Sequence, residues 1–372
     1  MNNQGPIKIA FFTGSFHFGG TERYLLNLLE NIDRQLFNPT IMCFYKKGQF
    51  LSAIQRLNID IEVFPIKNGL FNTTGFKSLI KASIFLRKSD IQIIHTLADS
   101  ANYFGIFAAK LAGIKTIIAS QRNMGHLIEK KRHYLASKVI FKYLINGIIV
   151  NAGSIKNYLI QEFRVTPDKI EVIHNGIKIN NKSVEKKKSK EAGGNIIVGF
   201  IGRLHPVKGC SFLIDAAKNV IKEYPDILFL IVGDGPERNN LKYKINNYGI
   251  MKNFQFVGYQ KNIQLYISKM DFIILPSKSE GFPNVVLEAM AGQKPVVATR
   301  VGEVPEVVID GETGIIIEPG DVTALINSIN NICGDKDLRK KMGLAAFKRV
   351  QEQFGIERMV ELHNKYYLRK II

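Results

Sequence analysis

Two glutamates, Glu280 and Glu288, bracket the stretch SKSEGFPNVVLEAMAG at residues 277–292. A carboxylate accepts two hydrogen bonds at once, so this pair suits the vicinal hydroxyls of a ribose or a transferred sugar. Gly281 lets backbone approach closely, Pro283 suits a first helical turn, and Gly292 is placed to end the helix. Backbone N–H groups around Phe282, Asn284 and Val285 then form an anion site strengthened by the helix dipole. A second cluster, Gly202-Arg203-Leu-His205-Pro206-Val-Lys208-Gly209, puts two cations beside a flexible loop, a pattern suited to a pyrophosphate. A third, Gly14 to Glu22, mimics a phosphate-binding loop, but Gly20 stands where the lysine belongs. The usual β/γ-phosphate contact is then lost, which argues against a nucleoside triphosphatase. Gly19 and Gly20, at a helix start, still suit close approach to a diphosphate or sugar.

Two further residues are candidates for the acceptor side. His95 follows the apolar run Ile91–Ile94, where it is either a substrate contact or a satisfied structural histidine. Arg122, in Ser120-Gln121-Arg122-Asn123, suits an acceptor or a phosphate, with a buried ion pair as the alternative. No metal site is expected: there is no H-E-x-x-H, and Cys43, Cys210 and Cys333 are far apart. Asp335-Lys-Asp337 reads as the cap of a late helix.

These clusters sit at the ends of short apolar runs. Ile7–Phe12, Thr40–Tyr45, Ile59–Phe64, Ile91–His95, Lys115–Ala119 and Gly147–Val150 alternate with helical stretches, among them Thr21–Asn31 with Tyr24, Leu25, Leu28 and Leu29 at helical spacing. After a polar, basic stretch the alternation restarts with Ile196–Ile201, Leu228–Val232, Gln255–Val257, Phe272–Leu275, Pro295–Ala298 and Gly314–Ile317. The fold class is therefore α/β, with two doubly wound parallel sheets covered on both faces. The expected division is a first domain over 1–178, a linker over 179–195 and a second domain over 196–355. Ligands of open parallel sheets bind at the carboxyl edge of the strands, which places a cleft between the two domains.

The 372 residues carry a net charge of +19, and residues 1–178 are the more basic part, with 23 Lys and Arg against 11 Asp and Glu. Such a field draws anions: nucleic acid, acidic lipid surfaces or phosphorylated small molecules. The start lacks the features of a signal peptide, and no apolar run approaches the ~18–20 residues that span a bilayer. A cytoplasmic protein is expected, with surface contact to an anionic membrane at the inner face. The basic, amphipathic stretch 126–143, with Lys130, Lys131, Arg132, Lys138 and Lys142 among leucines and isoleucines, suits that contact; a solvated helix face is the alternative.

The chain resembles the retaining glycosyltransferases of family 4, over nearly its whole length. The residues that carry the resemblance are Gly19-Gly20-Thr-Glu22, His174-Asn175-Gly176-Ile177, Gly202-Arg203-Leu with Lys208-Gly209, Val232-Gly-Asp-Gly-Pro-Glu237, and the E-x(7)-E of Glu280 and Glu288. Val296-Val-Ala-Thr299 and Val304-Pro-Glu306-Val add to it. The resemblance implies the two-domain GT-B fold, with residues 356–372 crossing back onto the first domain. It implies that Arg203 and Lys208 bind the donor diphosphate and stabilise it as a leaving group. Glu288 would hold the ribose; Glu280 and the 282–285 backbone would hold the sugar. It also implies that no cofactor and no metal are needed. After the fifth strand many members carry a histidine that contacts the sugar, where this chain has Gln121 and Arg122. The expected reaction moves a sugar from a nucleotide diphosphate sugar, UDP ahead of GDP, to a hydroxyl of a saccharide acceptor. That acceptor is expected to be lipid-linked, in cell-surface polysaccharide or glycolipid synthesis. A nucleotide-sugar epimerase of the same architecture is the alternative enzyme. A nucleic-acid-binding module is disfavoured because the cations sit at strand ends and no nucleic-acid motif is present.

Overall fold

A computed structural model describes residues 5–17, 19–66, 72–97, 99–122, 134, 137–179 and 195–371. Phe18, Asn123, most of the basic stretch 126–143 and all but the ends of the linker 179–195 lie outside the described residues. The chain divides into two compact units, Met1–Gly176 with Ile356–Ile372, and Ile177–Gly355.

In the first unit, strands β1 (Ile7–Thr13), β2 (Phe37–Cys43), β3 (Ile61–Val63), β4 (Ile93–Leu97), β5 (Thr116–Gln121), β6 (Gly147–Val150) and β7 (Ile170–Val172) alternate with helices. These are α1 (Gly20–Asn31), α2 (Leu51–Gln55), α3 (Thr73–Lys88), α4 (Asp99–Ala112) and α5 (Gly153–Gln161). The strands pair in parallel in the order β3-β2-β1-β4-β5-β6-β7. Burial on both faces explains why they read as continuous apolar runs. Along β1, Ala10 and Phe12 enter one core layer, while Ile9 and Phe11 enter the other. Each fully buried phenylalanine contributes about 1.5–3 kcal/mol by leaving water.

The second unit repeats the scheme. Strands β8 (Ile197–Ile201), β9 (Leu228–Val232), β10 (Phe254–Gly258), β11 (Phe272–Leu275), β12 (Val296–Thr299) and β13 (Gly314–Ile317) form a parallel sheet in the order β10-β9-β8-β11-β12-β13. The helices are α6 (Cys210–Glu223), α7 (Arg238–Asn247), α8 (Gln264–Ile267), α9 (Asn284–Ala291), α10 (Val304–Val307), α11 (Val322–Gly334) and α12 (Lys336–Gln353). The unit begins at Ile177, ahead of the expected linker, because the Ile177 N–H donates to Phe354 O at 2.9 Å and the residue pairs with Gly355. Asp335 caps α12 by accepting from Leu338 N–H at 2.8 Å.

In both sheets the winding reverses once, beside the first strand of each unit: between β1 and β4, and between β8 and β11. There the loops leaving two neighbouring strands diverge to opposite faces and open a crevice at the carboxyl edge.

Helix α13 (Ile356–Lys370) belongs to the first unit and packs against α1, with Met359, Val360, Tyr366 and Tyr367 in its core. Its His363 is fully buried; Nε2 meets Tyr24 Oη at 2.5 Å and Nδ1 meets Met359 O at 2.7 Å. Burial pushes the imidazole down to about 4. An unfolded histidine titrates near 6.5, so between these values the unfolded chain binds the extra proton and the folded one does not. The stability conferred by a neutral His363 is complete above pH 6.5 and is lost as pH falls towards 4, by about 3 kcal/mol. Urea unfolding at pH 7 and pH 5 should show the first unit weakening at the lower pH. His363→Gln should remove part of that slope, the buried His95 of the same unit supplying a share of the same sign; an unchanged slope would mean His363 is not a titrating group.

Candidate active site

The reversal of the second sheet brings together two loops that are about 70 residues apart in sequence. One leaves β8 and runs through Gly202, Arg203 and a helical turn at Pro206–Lys208; the other leaves β11 and runs through Ser277, Glu280 and Pro283. The Lys278 N–H donates to Val207 O at 2.8 Å. Gly209 has φ +68, and a Cβ there would lie 1.8 Å from Pro276 O, so only glycine allows the loops this close. Across the join, Lys208 Nζ lies 2.6 and 2.7 Å from the two carboxylate oxygens of Glu280. Ser277 Oγ donates to the same carboxylate at 2.6 Å. The Glu280 side chain is 8% exposed and that of Lys208 28%. Lys208 and Glu280, assigned separately to diphosphate and sugar by resemblance, thus form one charged, half-buried unit.

Gly302 and Glu303, which the sequence reading passed over, buttress this unit from the loop after β12. The Glu303 N–H donates to Gly281 O at 3.1 Å. Gly302 has φ +52, and a Cβ there would come within 2.3 Å of Glu280 O. A glycine two residues before the Val304-Pro-Glu306-Val run was the available signal.

Helix α9 starts at Asn284, with Pro283 as its N-cap. Its first N–H groups are less open than the sequence suggested. Asn284 donates to Phe282 O at 3.0 Å, and Val286 and Leu287 donate to Pro283 O at 3.0 and 3.4 Å. Among the described residues, the Val285 N–H alone of this turn has no such partner. The Phe282 ring is buried beside Phe354, so of that residue the backbone is what could serve a ligand. Val286, Leu287, Ala289 and Met290 face the core, leaving Asn284, Val285 and Glu288 together on the half-buried face one turn apart.

Beside Gly202 and Arg203 lies a cavity of about 420 Å³, lined also by Gly233, Asp234, Tyr259 and Gln260. Arg203 is exposed at its rim. The Gly202 N–H donates to Val232 O and the Leu204 N–H to Asp234 O, each at 3.0 Å, which welds the β8 and β9 loops together. Tyr259 and Gln260 follow β10 and carry no motif, so pattern alone did not single them out. A pocket of this size with a few polar groups suits a planar heterocycle or a sugar next to the cations.

In the first unit, α1 starts at Gly20 and Gly19 is its N-cap. The Glu22 carboxylate folds back over this turn: a Cβ on Gly19 would lie 2.3 Å from Glu22 Oε2. The helix start expected to receive a diphosphate already faces a carboxylate, whose pKa is raised by burial.

His95 is not at a strand end. Strand β4 runs on to Leu97, and His95 is fully buried, with Nδ1 2.7 Å from Tyr367 Oη and Nε2 2.8 Å from Ser120 Oγ. Both ring nitrogens are engaged, so His95 is a core residue that ties β4 to β5 and α13 rather than a ligand contact. Burial holds it well below the usual histidine range, neutral at pH 7. Arg122 follows β5; its guanidinium stacks 3.6 Å over the Tyr24 ring and bonds Asn175 Oδ1. Its Nη1 is buried without a hydrogen-bond partner among the described residues. The ion-pair alternative has a partial counterpart in Glu22, which acts on Arg122 through charge.

Two parallel Rossmann-type sheets, one in each unit, are the architecture of the GT-B class of glycosyltransferases. Solved structures share the fold over the chain's length. The Anabaena protein HepE in complex with UDP superposes with a TM-score of 0.84 at 22% identity, covering 98% of this chain and 100% of that one. The lipopolysaccharide outer core galactosyltransferase WaaB superposes with a TM-score of 0.78 at 17% identity, covering 98% and 100%. The family model "Glycosyltransferase Family 4" matches residues 18–181, and "Glycosyl transferases group 1" matches residues 181–349. The chain belongs to glycosyltransferase family 4, and it is an enzyme that transfers a sugar from a nucleotide sugar. Among its relatives is the Escherichia coli UDP-Gal:alpha-D-GlcNAc-diphosphoundecaprenol alpha-1,3-galactosyltransferase, 26% identical over 100% of this chain and 99% of that protein. The Staphylococcus aureus capsular polysaccharide biosynthesis glycosyltransferase CapM is 26% identical over 79% and 80%. The epimerase and nucleic-acid alternatives gain nothing from these matches.

Proposed function

We propose that this glycosyltransferase takes a UDP-sugar as donor, retains the anomeric configuration, and acts on a lipid-linked saccharide in cell-surface polysaccharide synthesis. The observation that carries it is the Lys208–Glu280 pair at the winding reversal of the second sheet, Lys208 standing on a loop that also lines a cavity through Gly202 and Arg203. Arg203 and Lys208 bind the diphosphate and stabilise it on departure. Glu280 holds the sugar through its free lone pairs, and Glu288 accepts hydrogen bonds from the ribose. With two cations on the leaving group, the reaction needs no metal. The Arg203 cavity takes the base. UDP is favoured because HepE was solved with UDP and with UDP-glucose, and because the E. coli relative is named for a UDP-Gal donor. A lipid-linked acceptor is favoured by that relative's diphosphoundecaprenol substrate. In the first unit Arg122 Nη1, which has no hydrogen-bond partner among the described residues, suits an acceptor phosphate. Among the described residues no helix is long and apolar enough to cross a membrane. We propose peripheral contact with an anionic inner-leaflet surface.

Thermal-shift screening against UDP, GDP and their sugars tests the donor, because a ligand of the folded state raises the melting temperature. UDP should shift the protein and GDP should not. Glu288→Ala should weaken UDP binding by about 10- to 100-fold, the scale of losing charge-assisted hydrogen bonds, with little change in the unliganded melting temperature. Equal UDP affinity for both proteins would remove the ribose role. NMR of the product's anomeric proton decides retention.

A further inference from the structure

Helices α3 and α4 pack side by side on one face of the first sheet and leave a set of large apolar side chains in water. Phe76, Ile80 and Ile84 form a stripe at helical spacing on α3; Phe76 is 63% exposed. Phe107 and Leu111 on α4 are exposed as well, and Phe76 and Phe107 line the same cavity of about 810 Å³, with Tyr103 and Phe104. The charge on α3 has one sign, and just beyond its end the exposed Asp90 pairs with Lys8 at 3.5 Å. Lys77, Lys81, Arg87, Lys88 and Lys110 are all exposed, and the sixteen residues of α3 include no Asp or Glu. Tyr103 Oη lies 2.5 Å from Ser137 Oγ, tying α4 to the segment 137–144, which exposes Val139 and Tyr143 beside Lys138 and Lys142.

A scattered exposed leucine needs no explanation, but a contiguous apolar stripe with a basic margin does. Aromatic and aliphatic side chains flanked by lysines describe a surface that lies in a bilayer interface, apolar groups among the acyl chains and ammonium groups at the phosphates. A soluble protein partner would be expected to meet some carboxylates of opposite sign on this face, whereas an anionic headgroup layer is complemented by cations alone.

We infer that the α3–α4 face is the surface by which this enzyme inserts into an anionic phospholipid bilayer, with an acyl chain entering the cavity between Phe76 and Phe107. This rests on the peripheral-membrane proposal above and moves the inserting surface from the basic stretch 126–143 to α3 and α4. The location also makes sense of the transferase: an acceptor anchored by a lipid diffuses in the plane in which the enzyme is held.

The chain has no tryptophan, so a single introduced indole reports its own surroundings. Phe76→Trp and Phe107→Trp should each show a blue-shifted emission on adding phosphatidylglycerol vesicles, and quenching by brominated phospholipid. Tyr243→Trp, at a site 70% exposed in the second unit, should show neither. Combined Phe76→Ser, Ile80→Ser and Phe107→Ser should reduce vesicle co-sedimentation at least tenfold while leaving the UDP thermal shift intact. Phosphatidylcholine vesicles should bind less, and salt should weaken binding to the anionic ones. If the vesicles bind but neither indole responds, the bilayer meets another surface and the inference falls while the membrane proposal stands. If no vesicle binds, both fall, and the UDP shift still reports on the transferase site separately.

Discussion

Lys208→Ala is expected to lower kcat/KM by about 30- to 1,000-fold, the roughly 2–4 kcal/mol that a preorganised charge contributes to a departing anion. The lysine is poised for this by Glu280, whose two oxygens hold its ammonium at 2.6 and 2.7 Å. A free lysine would spend its time among many rotamers; this one is aimed before the donor arrives. Its loss leaves the Glu280 carboxylate, 8% exposed, with the Ser277 hydroxyl still donating to it. That should also cost the second unit about 1–3 kcal/mol of stability, between the values for a surface pair and a buried one. Glu280→Gln should impair turnover too, because the amide holds Lys208 less firmly. Since the two side chains touch, their effects should not add: the double variant should be little worse than the worse single. Steady-state kinetics on the four proteins, well below their melting temperatures, checks this. Turnover of Lys208→Ala within threefold of the parent would remove the lysine from the diphosphate. Fully additive losses would show that lysine and glutamate act separately.

Gly233→Ala is expected to destabilise the second unit by roughly 3–6 kcal/mol and to abolish nucleotide binding. Gly233 has φ +140, a conformation open in practice to glycine, and a Cβ there would lie 1.9 Å from Gly202 O. All the atoms it would meet are Gly202 backbone and none is a flexible side chain that can step aside, so the backbone of the Arg203 loop itself must move. Calorimetry should show the melting temperature falling by roughly 10 °C or more. Gly311→Ala is the control: it has φ +76 but nothing within 4 Å of the added carbon, so it should cost only about 1 kcal/mol. If the two variants melt together, backbone conformation alone is at issue, and the contact between the β8 and β9 loops does not matter.

Most of the second unit's site was legible because its pieces are local. A strand end followed by glycine, cations and a helix start is a pattern within ten residues, and Glu280 and Glu288 share one loop–helix junction. The strands were legible because burial on both faces leaves an unbroken apolar run. Their ends were less so. Strand β2 begins at Phe37 rather than Thr40, since Phe37 is fully buried and Pro39 is accommodated in the ladder. Strand β4 extends to Leu97, which took His95 from the rim into the core.

By itself, then, the sequence determined the α/β class, the doubly wound pair of sheets and the family, and it singled out the residues between Gly202 and Glu288 that we propose meet the nucleotide sugar. The class and the sheets follow from periodicity, and the family and the candidate site from a resemblance carried by motifs read over short distances. The tertiary structure decided which of those residues touch. Lys208 meets Glu280 because β8 and β11 are neighbours, and Gly302 supports them because β12 lies beside β11. His95 meets Tyr367, 272 positions away, because the last helix returns to the first unit. Strand order is a property of the whole sheet, set by how all its layers pack, and no local pattern of apolar residues encodes it.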